Sequence, residues 1–258
     1  MGTIAVTGSA GGIGSALVAR LRARDHTVIG VDIRDAEVIA DLSTANGRAA
    51  MVDEVAARCG GRLDGVVAGA GITDQPGDLV VAINYFGAVA TLDGLRPLLA
   101  RGDRPSAVAI SSNSTTTQEG VALGVVAKCL EGDEPEAWRI AARDANGITT
   151  YPATKLALAR WVRHHAITDE WIGAGIRLNA VAPGFIDTPM TSPLRDFILG
   201  LGDVFPIPIG RSGQPDEVAA LLEFLLSPDA GFFVGSVVFA DGGTDAALRA
   251  DDWPAARE

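Results

Sequence analysis

The stretch YPATK, residues 151–155, sets the phenol of Tyr151 and the ammonium of Lys155 four positions apart, which on a helix stacks them on one face. A free phenol titrates near pH 10. A general base useful near neutrality needs that value lowered by about 2 to 3 units, roughly 3 to 4 kcal/mol of differential stabilisation. A buried ammonium can contribute to that, so the pair suits proton transfer at an alcohol oxygen, although the bare spacing is common. A hydroxyl beside it would orient the substrate and stabilise a developing oxyanion. The stretch ISSNSTTTQEG, residues 110–120, offers six hydroxyl side chains in seven positions, directly after an apolar run at 107–110.

These groups need a scaffold, and the chain supplies a periodic one. Apolar, β-branched runs recur at Thr3–Thr7 and at 27–31, 63–68, 107–110, 176–182 and 236–240, with helix-period segments between most of them. Such alternation predicts a parallel sheet covered by helices on both faces. Ile13, Leu17 and Leu21 fall four apart and would press the first helix on the sheet. A second helix is expected over 46–59, ended by Gly60 and Gly61. The first strand runs into TGSAGGIG, residues 7–14. A glycine-rich turn there brings backbone close to a pyrophosphate, while the helix N-terminus supplies N–H donors. Asp32, 18 residues after Gly14 at the end of TVIGVD, stands where a carboxylate can accept from the adenosine ribose hydroxyls and repel a 2′-phosphate. NAD is therefore the expected cofactor; Arg34, two residues on, is the one nearby cation that could meet a phosphate.

At 258 residues, with no linker, composition shift or repeat, the chain reads as a single domain, large enough to bury a core without disulfides or metals. Its two cysteines, Cys59 and Cys129, have no ligand-spaced neighbours, which favours a reduced, cytoplasmic setting and no metal. The N-terminal MGTIAVTG lacks the basic region of a signal peptide and has Val6 where a myristoylation signal has Ser or Thr. No run approaches 18 uninterrupted apolar residues, so no membrane partner is expected. Against 21 Lys and Arg stand 32 Asp and Glu, and the net charge of −11 disfavours nucleic acid, anionic membrane and acidic carrier proteins. A small uncharged substrate is the simpler expectation.

Taken together, TGxxxGxG at 7–14, YPATK at 151–155 and NAVAPGFIDT at 179–188 resemble the short-chain dehydrogenase/reductase family over nearly the whole chain. Within it, GVDIRDAEVIADLSTANGR, INYFGA, ISS followed by a long insertion, and DGGTDA are similar to the bacterial 3α-hydroxysteroid dehydrogenase/carbonyl reductase branch. The resemblance implies an α/β fold: a Rossmann-type doubly wound parallel sheet in one domain, with a helical insertion at about 113–150 between the fifth strand and the Tyr-bearing helix. It implies cofactor contacts at Gly8, Ser9, Gly12, Ile13 and Gly14, at Asp32 and Ile33, at Asp41 with Leu42 on the adenine side, and at Ala70 and Gly71. In AGAG, residues 68–71, it also notes the absence of the Asn side chains common at that strand, which leaves a structural hydrogen-bond role unfilled. Beyond the sixth strand it adds Pro183 and Gly184, then the Ile186 backbone and the Thr188 hydroxyl against the nicotinamide carboxamide.

The same resemblance makes Tyr151 the general acid/base. Lys155 would lower its pKa, together with the positive oxidised nicotinamide, and hold the nicotinamide ribose. Asn84, a lone amide in VVAINYFGAVA, would hold a water linking Lys155 to solvent; the alternative is a core amide bonded to local backbone. The second serine of ISS is the catalytic one, Ser112, and the alternation of a strand turns Ser111 to the other face, bonded to structure. Tyr151 lies 39 residues beyond Ser112, so the inserted segment must leave and return. Residues 121–130 and 135–144 read as its two short helices, beside a surface that relatives use to associate, and a homodimer through another face is expected.

The segment 187–211 covers the substrate in this family. Its apolar side chains, with Met190, Leu194, Phe197 and Ile198 as the lid, suit a bulky hydrophobic secondary alcohol or ketone such as a steroid. They would equally pack a core or a subunit interface. A terpenoid or aromatic alcohol dehydrogenase fits the same residues. A non-catalytic NAD-binding regulatory module has no need of Asn84, Ser112, Tyr151 and Lys155 together, and a methyltransferase none of the Tyr–Lys pair. The adjacent His164 and His165 point to different sides of a helix, DGGT at 241–244 reads as a plain tight turn, and no GxSxG elbow supports a hydrolase.

Overall fold

In a computed structural model, which describes residues 2–253, seven parallel strands form one sheet in the order β3-β2-β1-β4-β5-β6-β7. They are β1 (Thr3–Thr7), β2 (Thr27–Asp32), β3 (Val38–Ile39), β4 (Gly65–Ala68), β5 (Ser106–Ile110), β6 (Arg177–Pro183) and β7 (Val237–Ala240). Six follow the apolar runs of the sequence to within a residue or two. The exception is β3, whose two residues are too short to show a period and pair with the end of β2. Strand order reverses between β1 and β4, which opens a crevice at their C-terminal ends.

The double winding follows from the pleat. Along β1, Ile4 and Val6 join Leu17 and Leu21 of α1 (Gly12–Arg22), while Ala5 turns to the opposite core. That second core holds α2 (Ala45–Arg58), α3 (Gly77–Val81), a π turn (Ala82–Gly87) and α4 (Ala88–Leu99). Thr44 caps α2, its hydroxyl accepting from the Gly47 amide at 3.0 Å. The span Gly77–Leu99 is continuous and apolar enough to cross a membrane by length and composition, a property that counting uninterrupted apolar runs misses. More than half of it is buried in the fold, which accounts for its composition.

Between β5 and α8 (Thr150–His165) the chain forms a one-turn helix α5 (Ser114–Thr117) and then a hairpin, α6 (Leu123–Glu131) and α7 (Glu134–Ala141). Gly132, at φ 74°, makes the turn, and the Asp133 side chain caps α7. Val125, Val126 and Cys129 from α6, with Ala137 and Ala141 from α7, join the core against α8 and α3. The insertion is thus a packed layer over the helix that carries Tyr151. The chain ends with α9 (Arg195–Leu199), α10 (Pro215–Leu226) against α1, and α11 (Thr244–Leu248).

Candidate active site

The crevice at the switch point opens into a cleft of about 580 Å³ that runs from Asp32 to Tyr151. Its floor is the turn after β1. Gly8 adopts φ 73°, and a Cβ on Gly14 would stand 2.0 Å from the Gly8 carbonyl, so only glycine lets the turn fold flat onto α1. Gly12 lies against the Thr188 methyl group. Gly8, Gly12, Ile13 and Gly14 line the cleft; Ser9 does not. A Cβ on Gly30 of β2 would lie 2.7 Å from the Ser9 hydroxyl, which turns under the loop toward the sheet and has no hydrogen-bond partner. The Ser9 hydroxyl thus turns away from the cleft.

At one end, Asp32 accepts from the amides of Ala10 (3.0 Å) and Ile33 (2.7 Å), which fixes its carboxylate at the rim beside exposed Ile33. Asp41 and buried Leu42 form the neighbouring wall, with Asp41 accepting from the amide and hydroxyl of Ser43 at 2.9 and 2.6 Å. A bare glycine floor at a helix N-terminus and a fixed carboxylate 18 positions on fit a dinucleotide.

Ala70 and Gly71 line the middle. The hydrogen-bond role expected to be empty there is filled from the adjacent strand: the Thr7 hydroxyl accepts from the amides of Gly69 and Ala70 at 3.1 and 3.3 Å. Asn84, fully buried in the π turn, closes the same loop, accepting from the Ile72 amide at 2.8 Å and donating to its carbonyl at 2.9 Å. Its side chain thus bonds local backbone. It still adjoins the site, since a Cβ on Gly71 would lie 3.3 Å from both Asn84 Oδ1 and Lys155 Nζ.

The reactive end gathers groups from β5 and α8. Tyr151 and Ser112 line this end of the cleft together, and the Ser112 Oγ accepts from the Ser114 amide at 3.1 Å. Ser111 faces the other way and donates to the Lys155 main-chain carbonyl at 2.9 Å. Lys155 Nζ donates to the Ile110 carbonyl at 2.9 Å and lies 5.8 Å from the Tyr151 ring centroid. Burial pushes the Tyr151 phenol above its ordinary value, an effect the Ser112 hydroxyl opposes, and lowers the Lys155 ammonium to about 8. In the ligand-free protein desolvation is the larger influence on the phenol, and the Lys155 ammonium is engaged by the Ile110 carbonyl.

Pro183, Gly184, Ile186 and Thr188 border the cleft after β6. Thr191, which the motifs did not single out, organises this loop: its Oγ1 accepts from the Thr188 amide at 3.0 Å and donates to the Ile186 carbonyl. Of the expected lid, only Met190 lines the cleft. Leu194 and Phe197 are 46% and 66% exposed, and half-buried Ile198 does not reach it. An Arg195–Asp187 ion pair at 2.9 Å joins the start of α9 to the loop that follows β6. The DGGT turn is more than a turn. Asp241 accepts from the Asn113 side chain at 3.4 Å, and Asp245 from the Thr116 hydroxyl at 2.5 Å, anchoring the helical turn that follows Ser112. Among the described residues there is no cluster of three metal-ligating side chains.

Residues 2–125 match the family described as short chain dehydrogenase, and residues 139–245 the one described as Enoyl-(Acyl carrier protein) reductase. The chain belongs to the short-chain dehydrogenase/reductase family and is an oxidoreductase. Within that family it is 40% identical to the 3-alpha-hydroxysteroid dehydrogenase/carbonyl reductase of Comamonas testosteroni, over 96% of this chain and 98% of that one. It is 32% identical to the cis-4-hydroxycyclohexanecarboxylate dehydrogenase of Sinomonas cyclohexanicum, over 92% and 94% of the two chains. It superposes on the 3-alpha-hydroxysteroid dehydrogenase from Pseudomonas sp. B-0831 complexed with NADH with a TM-score of 0.90 at 43% identity, covering 97% of this chain and all of the other.

Proposed function

We propose that the protein interconverts a hydrophobic secondary alcohol and its ketone with NAD(H), and that the pair is a 3α-hydroxysteroid and its 3-oxosteroid. The observation that carries this is the cleft that gathers Ser112, Tyr151 and Lys155 at one end and the Asp32 carboxylate at the other. When bound, the reduced nicotinamide supplies hydride to the carbonyl carbon. Tyr151 then gives its proton to the carbonyl oxygen, with Ser112 fixing that oxygen by a second hydrogen bond. Lys155, 5.8 Å from the Tyr151 ring centroid, carries a positive charge that favours the phenolate left by this transfer, and in alcohol oxidation each transfer reverses. Asp32 selects NAD, because a 2′-phosphate would meet its charge.

Met190 gives the open side of the cleft an apolar side chain, which suits a hydrophobic substrate such as a steroid. The likeness to a hydroxycyclohexane-carboxylate dehydrogenase favours a second reading, a smaller cyclic alcohol. Following absorbance at 340 nm with 3α-hydroxysteroids, cyclohexanols, terpenols and aryl alcohols, each with NAD and NADP, separates these. Steroid turnover with NAD is expected. Turnover of small cyclic alcohols alone would replace the substrate, preference for NADP would replace the cofactor, and NADH binding without any turnover would leave a regulatory module.

Helix α6 packs along α8 while α7 packs on α3, so the insertion covers a face of α8, which supports a homodimer formed through a different face. A tetrameric mass by light scattering would overturn it. Two buried, unbridged thiols support a reducing, cytoplasmic setting.

A further inference from the structure

Arg48, near the start of α2, is a cation buried to 8% exposure. Its Nε donates to the Thr44 carbonyl at 3.2 Å and its Nη2 to the Ser43 carbonyl at 3.5 Å, while the guanidinium stands 5.9 Å from the Phe86 ring centroid. The remaining edge of the fork is taken by Glu134, which comes from the first residue of α7, 86 positions away in the insertion. Nη1 donates to Oε2 at 3.1 Å and Nη2 to Oε1. A bidentate pair of this kind is fixed in orientation as well as in charge. Without its carboxylate, a guanidinium this deeply buried would be strongly disfavoured.

What the fork grips is the wall of the cleft. Asp41 and Leu42 line it, and Ser43 and Thr44, whose carbonyls Arg48 holds, follow directly. Leu42 packs in turn on the π turn, where a Cβ on Gly87 would stand 3.1 Å from its own Cβ. The insertion thus reaches two places at once: α6 lies along the Tyr-bearing helix, and Glu134 of α7 neutralises the cation that shapes the opposite end of the cleft.

We infer that Arg48 and Glu134 are positioning residues for the adenosine end of the cofactor, so that the insertion sets cofactor affinity and leaves the chemical step alone. This rests on the cleft being a dinucleotide site. The test compares the parent protein with Glu134→Gln and with the double variant Arg48→Met/Glu134→Met, measuring affinity for ADP-ribose and NADH, KM for NAD, kcat and thermal midpoint. Glu134→Gln weakens ADP-ribose roughly 5- to 150-fold, the usual range for coupled sites, and raises KM for NAD in step while kcat at saturating NAD stays parental. The double variant recovers the parental midpoint, as apolar replacement of buried pairs often does. It keeps the weak ADP-ribose binding, because the side-chain bonds to the Ser43 and Thr44 carbonyls are lost while only the main-chain bond to Thr44 remains. Parental ADP-ribose affinity in either variant overturns the inference, and the double variant alone decides if the single one does not fold. A parent that binds neither ADP-ribose nor NADH overturns instead the reading of the cleft.

Discussion

The Ser111 hydroxyl donates to the main-chain carbonyl of Lys155 at 2.9 Å, so the serine next to Ser112 clamps the Tyr-bearing helix to β5. Ser112 lines the cleft with Tyr151. Two neighbouring hydroxyls thus do different work because consecutive side chains of an extended segment point to opposite sides.

Substitution separates the two roles. Ser112→Ala should lower kcat on the order of a hundredfold or more, as for loss of an oxyanion donor, with its unfolding midpoint unchanged. Ser111→Ala should do the reverse, costing about 1 kcal/mol of stability and little activity. Steady-state kinetics beside urea unfolding checks both, and exchanged phenotypes would exchange the assignments.

The phenol is tuned upward in the free protein. Tyr85 and Tyr151 are the two tyrosines, and burial raises both above the ordinary value of 10.0. Ultraviolet titration of the ligand-free protein should therefore show no tyrosinate below pH 10. Ser112→Ala should move Tyr151 higher still, since the serine hydroxyl opposes the effect of burial. A tyrosinate transition near neutrality without cofactor would contradict this.

Burial lowers Lys155 from 10.5 to about 8, and the sign of its effect on stability follows. Between those values the unfolded chain holds the extra proton, so this group's contribution to stability rises with pH from about 8 to 10.5, while below 8 the full penalty applies. Lys155→Met should lose turnover yet unfold at higher denaturant at pH 7, by on the order of 3 kcal/mol at most. The gap from the parent should narrow as pH climbs through that window.

Asp144 ends the insertion and starts the catalytic helix, accepting from the amides of Thr149 (2.8 Å) and Thr150 (2.9 Å). Burial pushes its carboxyl up, but the bonds from Thr149 and Thr150 outweigh this and hold it below the usual range. Its contribution is thus present above the ordinary carboxylate pKa and lost as pH falls through the depressed value. Asp144→Ala should cost about 1 kcal/mol, typical of a lost cap, and lower kcat because Tyr151 is the next residue after Thr150. In circular dichroism it should also show a shallower loss of stability with acid than the parent.

Local chemistry was legible in the chain. The glycine turn, the acidic residue after β2, the Tyr151–Lys155 spacing, six of seven strands and the helical hairpin all follow from rules that act over a few residues: the pleat, the helical turn, the cap and the left-handed glycine. The family resemblance chose Ser112, and the pleat then assigned Ser111 to the opposite face. Those rules did not choose partners across the chain. Thr7 serving the amides of Gly69 and Ala70, Asn84 bonding to Ile72, Ser9 turning beneath its loop, Asp245 holding Thr116 and Arg48 meeting Glu134 are decided by which surfaces the packed sheet and helices bring together. A side chain's alternation says which face it leaves by, whereas the group it meets depends on the whole fold. Thus the sequence by itself determined the kind of chemistry and where along the chain it sits. The tertiary structure decided which hydroxyl, amide and carboxylate hold it in place, because desolvation and long-range hydrogen bonds exist only once the core is closed.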